Sequence, residues 1–278
     1  MKSGKGYRHG SRGLIRSPES KQQRELDESL KYASYIQQAL LPNSSEIGRF
    51  LPDHLLFYQP CNMVSGDFYF ISGQKDYIYL AVGDCTGHGV PGAFMSILGI
   101  AFLNAVISRF NPNKASQVLN QMREHVMKAL SQTGAQTDQK DGIDMVLCIL
   151  DRQSNTMQFA GAFNPIYVIR NRSLMEYQGD KMPVGIGSEQ EKPFTNHQLE
   201  LESGDMIYLF SDGFADQFGG RDGKKFKYRP FRELLTNISE LPVDEQKVHL
   251  QQTFDSWKGN LKQLDDVLVF GFRYTMGG

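Results

Sequence analysis

The sequence predicts an α+β fold built on antiparallel sheets. Three observations point there. From His54 onward, short runs rich in aromatic and β-branched residues are bounded by Gly, Asn and Asp. Between Met145 and Tyr177 four such runs follow one another, with Asp151–Asn155 and Asn171–Ser173 as hairpin turns. The helical segments come in adjacent blocks and do not alternate with the strands, which is the arrangement of antiparallel rather than parallel sheets. A chain of 278 residues, 40% of them hydrophobic, can bury one large core or two small ones, and one domain of about 225 residues is the simplest partition.

Residues 1–19 read as a disordered, solvated tail, in which Lys2, Lys5, Arg8, Arg12 and Arg16 sit among Gly and Ser. Residues 20–42 form a linker: Ser20–Leu41 is a helix that stops at Pro42. Its apolar positions Leu26, Leu30, Ala33, Ile36 and Leu40 make one stripe on an otherwise charged helix. The stripe could pack on its own domain or pair with a second copy of the chain as a short coiled coil, giving a homodimer. Residues 43–278 then form the main domain. His54–Gln59, Phe68–Ser72 and Tyr77–Val82 read as strands, followed by helices Pro91–Phe110 and Ala115–Leu130 and a polar loop from Ser131 to Gly142. Strands are expected at Met145–Leu150, Met157–Ala160, Ile166–Arg170, Leu174–Tyr177 and Met206–Phe210. Helices near Pro230–Asn237 and Val243–Trp257 precede a last strand, Val267–Tyr274.

Composition excludes several classes. With 30 basic and 31 acidic residues there is no global field for nucleic acid or an anionic membrane. Cys61, Cys85 and Cys148 lack metal-type spacing, and their odd number suits a reducing, cytoplasmic compartment. The first residues are polar and carry no secretory signal. Val90–Ser108 is uncharged and long enough to span a bilayer. Pro91, Gly92, Ser96 and Asn104 dilute it, however, and a buried helix without direct membrane contact explains it better.

Chemistry concentrates at four acidic positions. Asp67 opens a strand after Ser65-Gly66. Asp84 ends a strand and enters the loop Gly83-Asp84-Cys85-Thr86-Gly87-His88-Gly89. Asp212 ends another strand before Gly213, and Asp265, with Asp266 beside it, opens the last one. Aspartate is disfavoured in strands, and an unpaired buried carboxylate is costly. Four at strand ends converge if the strands lie side by side, and their repulsion then calls for cations. Carboxylates, carbonyls and water are the ligands of Mg or Mn. Any one Asp-Gly taken alone is ordinary turn chemistry; the ordered set is more specific.

The stretches Val64-Ser65-Gly66-Asp67-Phe68-Tyr69, Gly83 to Ala93, Ser211-Asp212-Gly213 and Asp265-Asp266 resemble the bacterial PPM phosphatases of the SpoIIE and RsbU type, with the motifs in family order from about residue 43 to 275. The resemblance implies a four-layer α-β-β-α sandwich with metals at one edge of two antiparallel sheets, preceded by a linker helix ending in Gln38-Ala39-Leu40-Leu41-Pro42. It implies a serine/threonine protein phosphatase acting on a phosphoprotein in a partner-switching type of signalling pathway, as the output domain of a larger membrane receptor. Carried over, Asp84 bridges two Mg or Mn ions, the Cys85 carbonyl ligates one, Asp212 and Asp265 hold the other, and Asp67 helps position their waters. The chain departs from the pattern at Phe70, where many members have a second Asp, and it shows no arginine near Asn62 to clamp phosphate. Asp141 and Asp144 could reach a third, weaker ion or simply form a strand-entry turn. His88 is the nearest candidate to protonate the leaving alcohol. Nothing basic except His88 adjoins Cys85, which argues against a thiol nucleophile. The competing reading is a non-catalytic metal- or partner-binding module of the same fold.

Overall fold

The computed structural model describes residues 18–110, 112–133, 140–187 and 192–275. The tail expected over residues 1–19 lies outside them up to residue 17, as do residues 134–139 of the expected loop. Helix α1 (Pro18–Leu40) leads into the single turn α2 (Ser44–Gly48). Asn43 caps α2 by accepting from Glu46 N–H at 3.1 Å, and the Glu46 carboxylate accepts from Asn43 N–H at 2.8 Å. This reciprocal cap re-starts the chain after Pro42.

Two antiparallel sheets follow, as expected. One runs β1-β13-β10-β6-β7, made of β1 (His54–Gln59), β6 (Ile166–Arg170), β7 (Ser173–Tyr177), β10 (Met206–Phe210) and β13 (Val267–Arg273). The other runs β2-β3-β4-β5-β9, made of β2 (Phe68–Gln74), β3 (Tyr77–Cys85), β4 (Gly142–Asp151), β5 (Thr156–Ala162) and β9 (His197–Glu200), with β8 (Val184–Gly185) beside β4. Helices α3 (Val90–Phe110) and α4 (Ala115–Ala129) cover the second sheet; α5 (Gly213–Asp216), α6 (Tyr228–Ile238) and α7 (Val243–Lys258) cover the first. A small hairpin, β11 (Phe218–Gly219) with β12 (Lys224–Lys225), lies between α5 and α6 in the chain.

The period of two along a strand assigns side chains to layers. In β10, Met206, Tyr208 and Phe210 pack under α5, α6 and α7, while Ile207 and Leu209 join the core between the sheets. In β13, Val267 and Val269 face the helices, and Leu268, Phe270 and Phe272 face the other sheet. The central strands are therefore apolar on both faces, which is why they read as continuous hydrophobic runs.

Three differences from the sequence expectation have local causes. Strand β4 begins at Gly142, three residues before Met145, so Asp144 lies in the ladder and not in an entry turn. Helix α6 begins at Tyr228, with Pro230 in its first turn, where the missing N–H has no partner to lose. Strands β8, β11 and β12 are two residues each, too short for an alternating pattern, and β9 is a four-residue polar edge strand that alternates only between half-buried and exposed. Helix α3 is the one helix among the described residues long and apolar enough to cross a membrane, and half of that window is buried. It packs on α4, β2, β3 and β4, while Val90 and Phe94 in its first turns stay exposed.

Candidate metal centre

Strand geometry brings six aspartates to one end of the sandwich. Asp67 directly precedes β2, and the pairing of Phe68 with Gly83, continued by one residue, sets it opposite Asp84, the penultimate residue of β3. Asp84 stands directly opposite Asp144 in the β3–β4 ladder. From the first sheet, Asp212 follows β10 and Asp265-Asp266 precede the neighbouring strand β13. Like charges placed opposite each other destabilise a sheet, so this arrangement needs a compensating partner.

The electrostatics express that cost. Burial is the largest cause raising the carboxyls of Asp67, Asp84, Asp144, Asp212 and Asp265 above their ordinary value, and neighbouring acids add to it. Asp67 is raised well above it by burial and then by Asp84; Asp84 by burial and then by Asp212, Asp265 and Asp144. Asp144 and Asp212 are each pushed up to about 6. The acids thus sense one another across both sheets.

Asp67 is only 1% exposed and is held on every side. Its Oδ2 accepts from Ser211 Oγ at 2.5 Å, its N–H donates to Ser65 Oγ at 3.1 Å, and its carbonyl accepts from Tyr58 OH at 3.3 Å. Ser211 Oγ also accepts from Leu268 N–H at 3.0 Å, so one hydroxyl ties Asp67 to the first sheet. Asp266, buried as well, accepts from Cys61 N–H through Oδ1 and from Gly66 N–H through Oδ2, both at 2.7 Å. It pins both ends of the loop that precedes Asp67. A Cβ on Gly92 would lie 2.0 Å from the Gly87 carbonyl oxygen, and one on Gly66 would lie 2.8 Å from the same atom. The loop before Asp67, the loop after Asp84 and the start of α3 therefore meet backbone to backbone.

Asp212 supplies the sharpest observation. Its Oδ1 is buried with no hydrogen-bond partner in the protein, a condition that costs roughly 1–3 kcal/mol and more for a charged group. Among the described residues no three His, Cys, Asp or Glu side chains close around a point as a preformed cage. The donors nonetheless suit hard divalent ions: oxygen only, mutually repelling, with one buried carboxylate oxygen unclaimed. Asp67, Asp84, Asp144, Asp212 and Asp265 are the side chains that could hold such ions, and the Cys85 carbonyl lies in the same loop.

The remaining sequence candidates divide. Burial first, and then Asp84 and Asp67, push the Cys85 thiol well up, so the side chain is unsuited to act as a nucleophile. His88 is exposed; its Nδ1 is 3.2 Å from Asn62 Nδ2, and its charge favours the ionised form of Asp265. Asp141 precedes β4, and its carbonyl accepts from Gln132 Nε2 at 2.7 Å. Phe70, where relatives were expected to carry an acid, is buried on the α3 face of β2, the face it shares with Phe68. On the first-sheet side of the site, Lys225 Nζ pairs with Asp216 at 2.6 Å, and Tyr228 is raised by burial and by Asp212 and Asp216. Ser211 and Asp266 were missed as organising residues, although Ser-Asp-Gly and Asp-Asp contained them.

Comparison with known proteins bears on the family and the fold. The family model described as Stage II sporulation protein E (SpoIIE) matches residues 74–275. Phosphoserine phosphatase RsbU of Bacillus subtilis (strain 168) is 25% identical over 196 residues, covering 70% of this chain and 55% of that protein. The chain thus spans about half the length of this curated relative. Among solved structures, the SiaA-PP2C domain of Pseudomonas aeruginosa superposes with a TM-score of 0.82 at 31% identity, over 91% of this chain and 98% of that one. The PP2C phosphatase domain of SpoIIE from Bacillus subtilis, with a fragment of its regulatory domain, gives a TM-score of 0.64 at 18% identity, over 80% of this chain and 63% of that one. With the family model covering most of its length and the sandwich matching these PP2C domains, the chain belongs to the SpoIIE family.

Proposed function

We propose that the chain is a metal-dependent protein phosphatase that hydrolyses phosphoserine or phosphothreonine in a protein substrate. The observation that carries this reading is the convergence of Asp67, Asp84, Asp144, Asp212 and Asp265, with Asp212 Oδ1 left unpartnered. The printed name of the RsbU relative, a phosphoserine phosphatase, supports the same reaction class. Mg or Mn would be held as a pair, with Asp84 nearest to both and Asp212 and Asp265 on the first-sheet side; Asp144, opposite Asp84, would serve a third, weaker ion. When bound, such ions polarise phosphate oxygens and lower the pKa of the attacking water.

The chain's own groups set the geometry. Asp67, fixed by Ser211, Ser65 and Tyr58, presents an oriented carboxylate to the site. His88, exposed and within electrostatic reach of Asp265, is the proposed donor of a proton to the departing serine or threonine oxygen. Asn62 stands against one edge of that imidazole, its side-chain amide 3.2 Å from Nδ1; in the imidazolium, the form that can give up a proton, Nδ1–H would donate to the Asn62 amide oxygen.

Two partners complete the proposal. The substrate is a phosphorylated regulator of a cytoplasmic signalling pathway of the partner-switching type, and the domain serves as the output end of a larger receptor. The second partner is another copy of the chain, docked through α1, where Leu26, Ile36 and Leu40 are 53%, 46% and 44% exposed. Burying side chains of this size contributes about 1.5–3 kcal/mol each. The test of activity is turnover of phosphoserine and phosphothreonine peptides with Mn present and absent, with nucleotides and small phosphate esters as contrasts. Mn-dependent release of phosphate from the peptides is expected; full turnover in chelator, or turnover confined to the small esters, would overturn the reading.

A further inference from the structure

Gln37 is the one buried side chain among the described side chains of α1, only 3% exposed, while its neighbours Ile36 and Gln38 face solvent. A glutamine is seldom buried unless its amide is fully used, and this one is. Its Nε2 donates to the Ser65 carbonyl at 2.6 Å and to Ser96 Oγ at 2.8 Å, and its Oε1 accepts from Ser65 N–H at 3.0 Å. The side chain thus engages both backbone groups of Ser65, the exchange that an antiparallel strand partner would make.

Both contacts lead to the acids. Ser65 lies two residues before Asp67, and its Oγ accepts from Asp67 N–H. The residue between them, Gly66, donates to Asp266 and touches the Gly87 carbonyl region after Asp84. Ser96 sits in the second turn of α3, which leaves that same loop, with its Oγ 2.9 Å from the Ala93 carbonyl and 3.2 Å from that of Ser65. One amide from α1 therefore joins the loop before Asp67 to the helix behind Asp84.

We propose that Gln37 is a positioning residue of the metal centre: by clamping Ser65 it holds Asp67 in place, so that divalent-cation affinity depends on the seating of α1. This inference rests on the proposed function, since it assumes that these acids bind cations. Without the amide, Ser65 N–H loses its buried partner and the Ser65 carbonyl keeps only Ser96 Oγ. The segment that carries Asp67 then loosens, and cation binding weakens before substrate binding does. An apolar side chain of equal length would keep the volume and lose the clamp.

The experiment is a Mn titration followed by the EPR signal of free Mn, on the full chain and on Gln37→Met, Ser96→Ala and Tyr32→Ala. Tyr32 is the control: it lies on the same helix and is 70% exposed. Gln37→Met is expected to weaken Mn binding about tenfold or more, one decade being about 1.4 kcal/mol. Ser96→Ala, which leaves both Gln37 contacts to Ser65 but removes the Ser96 contact to the Ser65 carbonyl, should weaken it about two- to threefold, and Tyr32→Ala should leave it unchanged. Melting in chelator should stay at wild type for Tyr32→Ala and fall by a few degrees for Gln37→Met and Ser96→Ala, which leave buried groups short of partners, and phosphopeptide turnover by Gln37→Met should recover as Mn is raised, with KM for the peptide unaltered. Wild-type Mn affinity in Gln37→Met, equal losses in Gln37→Met and Tyr32→Ala, or a turnover defect that excess Mn does not repair would each overturn the proposal. If Gln37→Met does not fold, Ser96→Ala decides alone, and undiminished affinity there overturns it. A wild-type chain that binds no Mn sinks the underlying phosphatase reading, a result separate from any failure in the variants.

Discussion

Stripped of divalent ions, the protein should be more stable at mildly acidic pH than at neutral pH, the reverse of common acid denaturation. The perturbation is chelation followed by a shift from about pH 7.5 to about pH 5. Asp144 and Asp212 stand at about 6 in the fold against an ordinary 3.8. A carboxyl raised on folding contributes stability that is complete below 3.8 and is lost as pH rises through about 6. The full difference corresponds to about 3 kcal/mol per group, of which the step from pH 7.5 to pH 5 recovers about half. Solvent reaches both side chains, and screening leaves about 1 kcal/mol each. Asp67 and Asp84 act in the same direction because burial and their neighbours raise them too. At about 2–4 °C per kcal/mol for a chain of this size, the melting temperature should rise by about 4–8 °C on acidification. Scanning calorimetry in EDTA at the two pH values measures this. Asp212→Asn should shrink the gap, since that group no longer titrates and Asp84 and Asp144, both raised in part by Asp212, move back toward their ordinary value. Saturating Mn should abolish or invert it, because protons then compete with the ions. A chelated protein whose melting temperature is level or falls between pH 7.5 and pH 5 would refute the idea of a mutually repelling acid cluster.

The other expectations concern the site and α1. Phosphopeptide turnover should vanish in chelator and return with Mn or Mg, measured as released phosphate. Asp84→Ala should reduce turnover at least tenfold, about 1.4 kcal/mol, with no loss of stability in chelator, since Asp84 is raised by burial and by Asp212, Asp265 and Asp144; retention of more than about a tenth of the activity would remove Asp84 from its assigned role. Charges introduced by Leu30→Asp with Ile36→Asp should lower the mass seen by light scattering from dimer to monomer and alter turnover. Unchanged mass and activity would reduce α1 to a tether.

The fold was legible wherever burial writes a period into the sequence. Strand β1 and helices α4 and α7 lie close to their expected places because they send alternate or every third to fourth side chain into a core, and β10 and β13 because burial on both faces makes them continuous apolar runs. Strands β8 and β9 escaped because backbone pairing defines them: Val184–Gly185 is too short for a period, and His197–Glu200 is an edge strand with no continuous apolar face. The start of β4 was misplaced for a related reason. Gly142 and Asp144 disfavour strands by propensity, and it is the ladder with Asp84 and Cys85 that holds them there.

The site divides along the same line. Asp67, Asp84, Asp212 and Asp265 were readable because a carboxylate at a strand end violates local preference and so marks an external demand. Asp266 and Ser211 break no such rule. A second acid beside Asp265 reads as surface, and a serine before Asp-Gly reads as turn chemistry. Their roles depend on partners about 200 and 144 positions away: Gly66 for Asp266, and Asp67 for Ser211. Gln37 is harder still, since on a charged helix nothing separates it from Gln38. Its buried amide reaches Ser65 only because α1 ends against the loop that Asp266 also holds. The acids that announce themselves are those whose charge is uncompensated; the groups that aim them are satisfied, and their satisfaction conceals them. Substitutions at Ser211 and Gln37 should therefore act through the placement of Asp67, with metal affinity as the quantity that moves first.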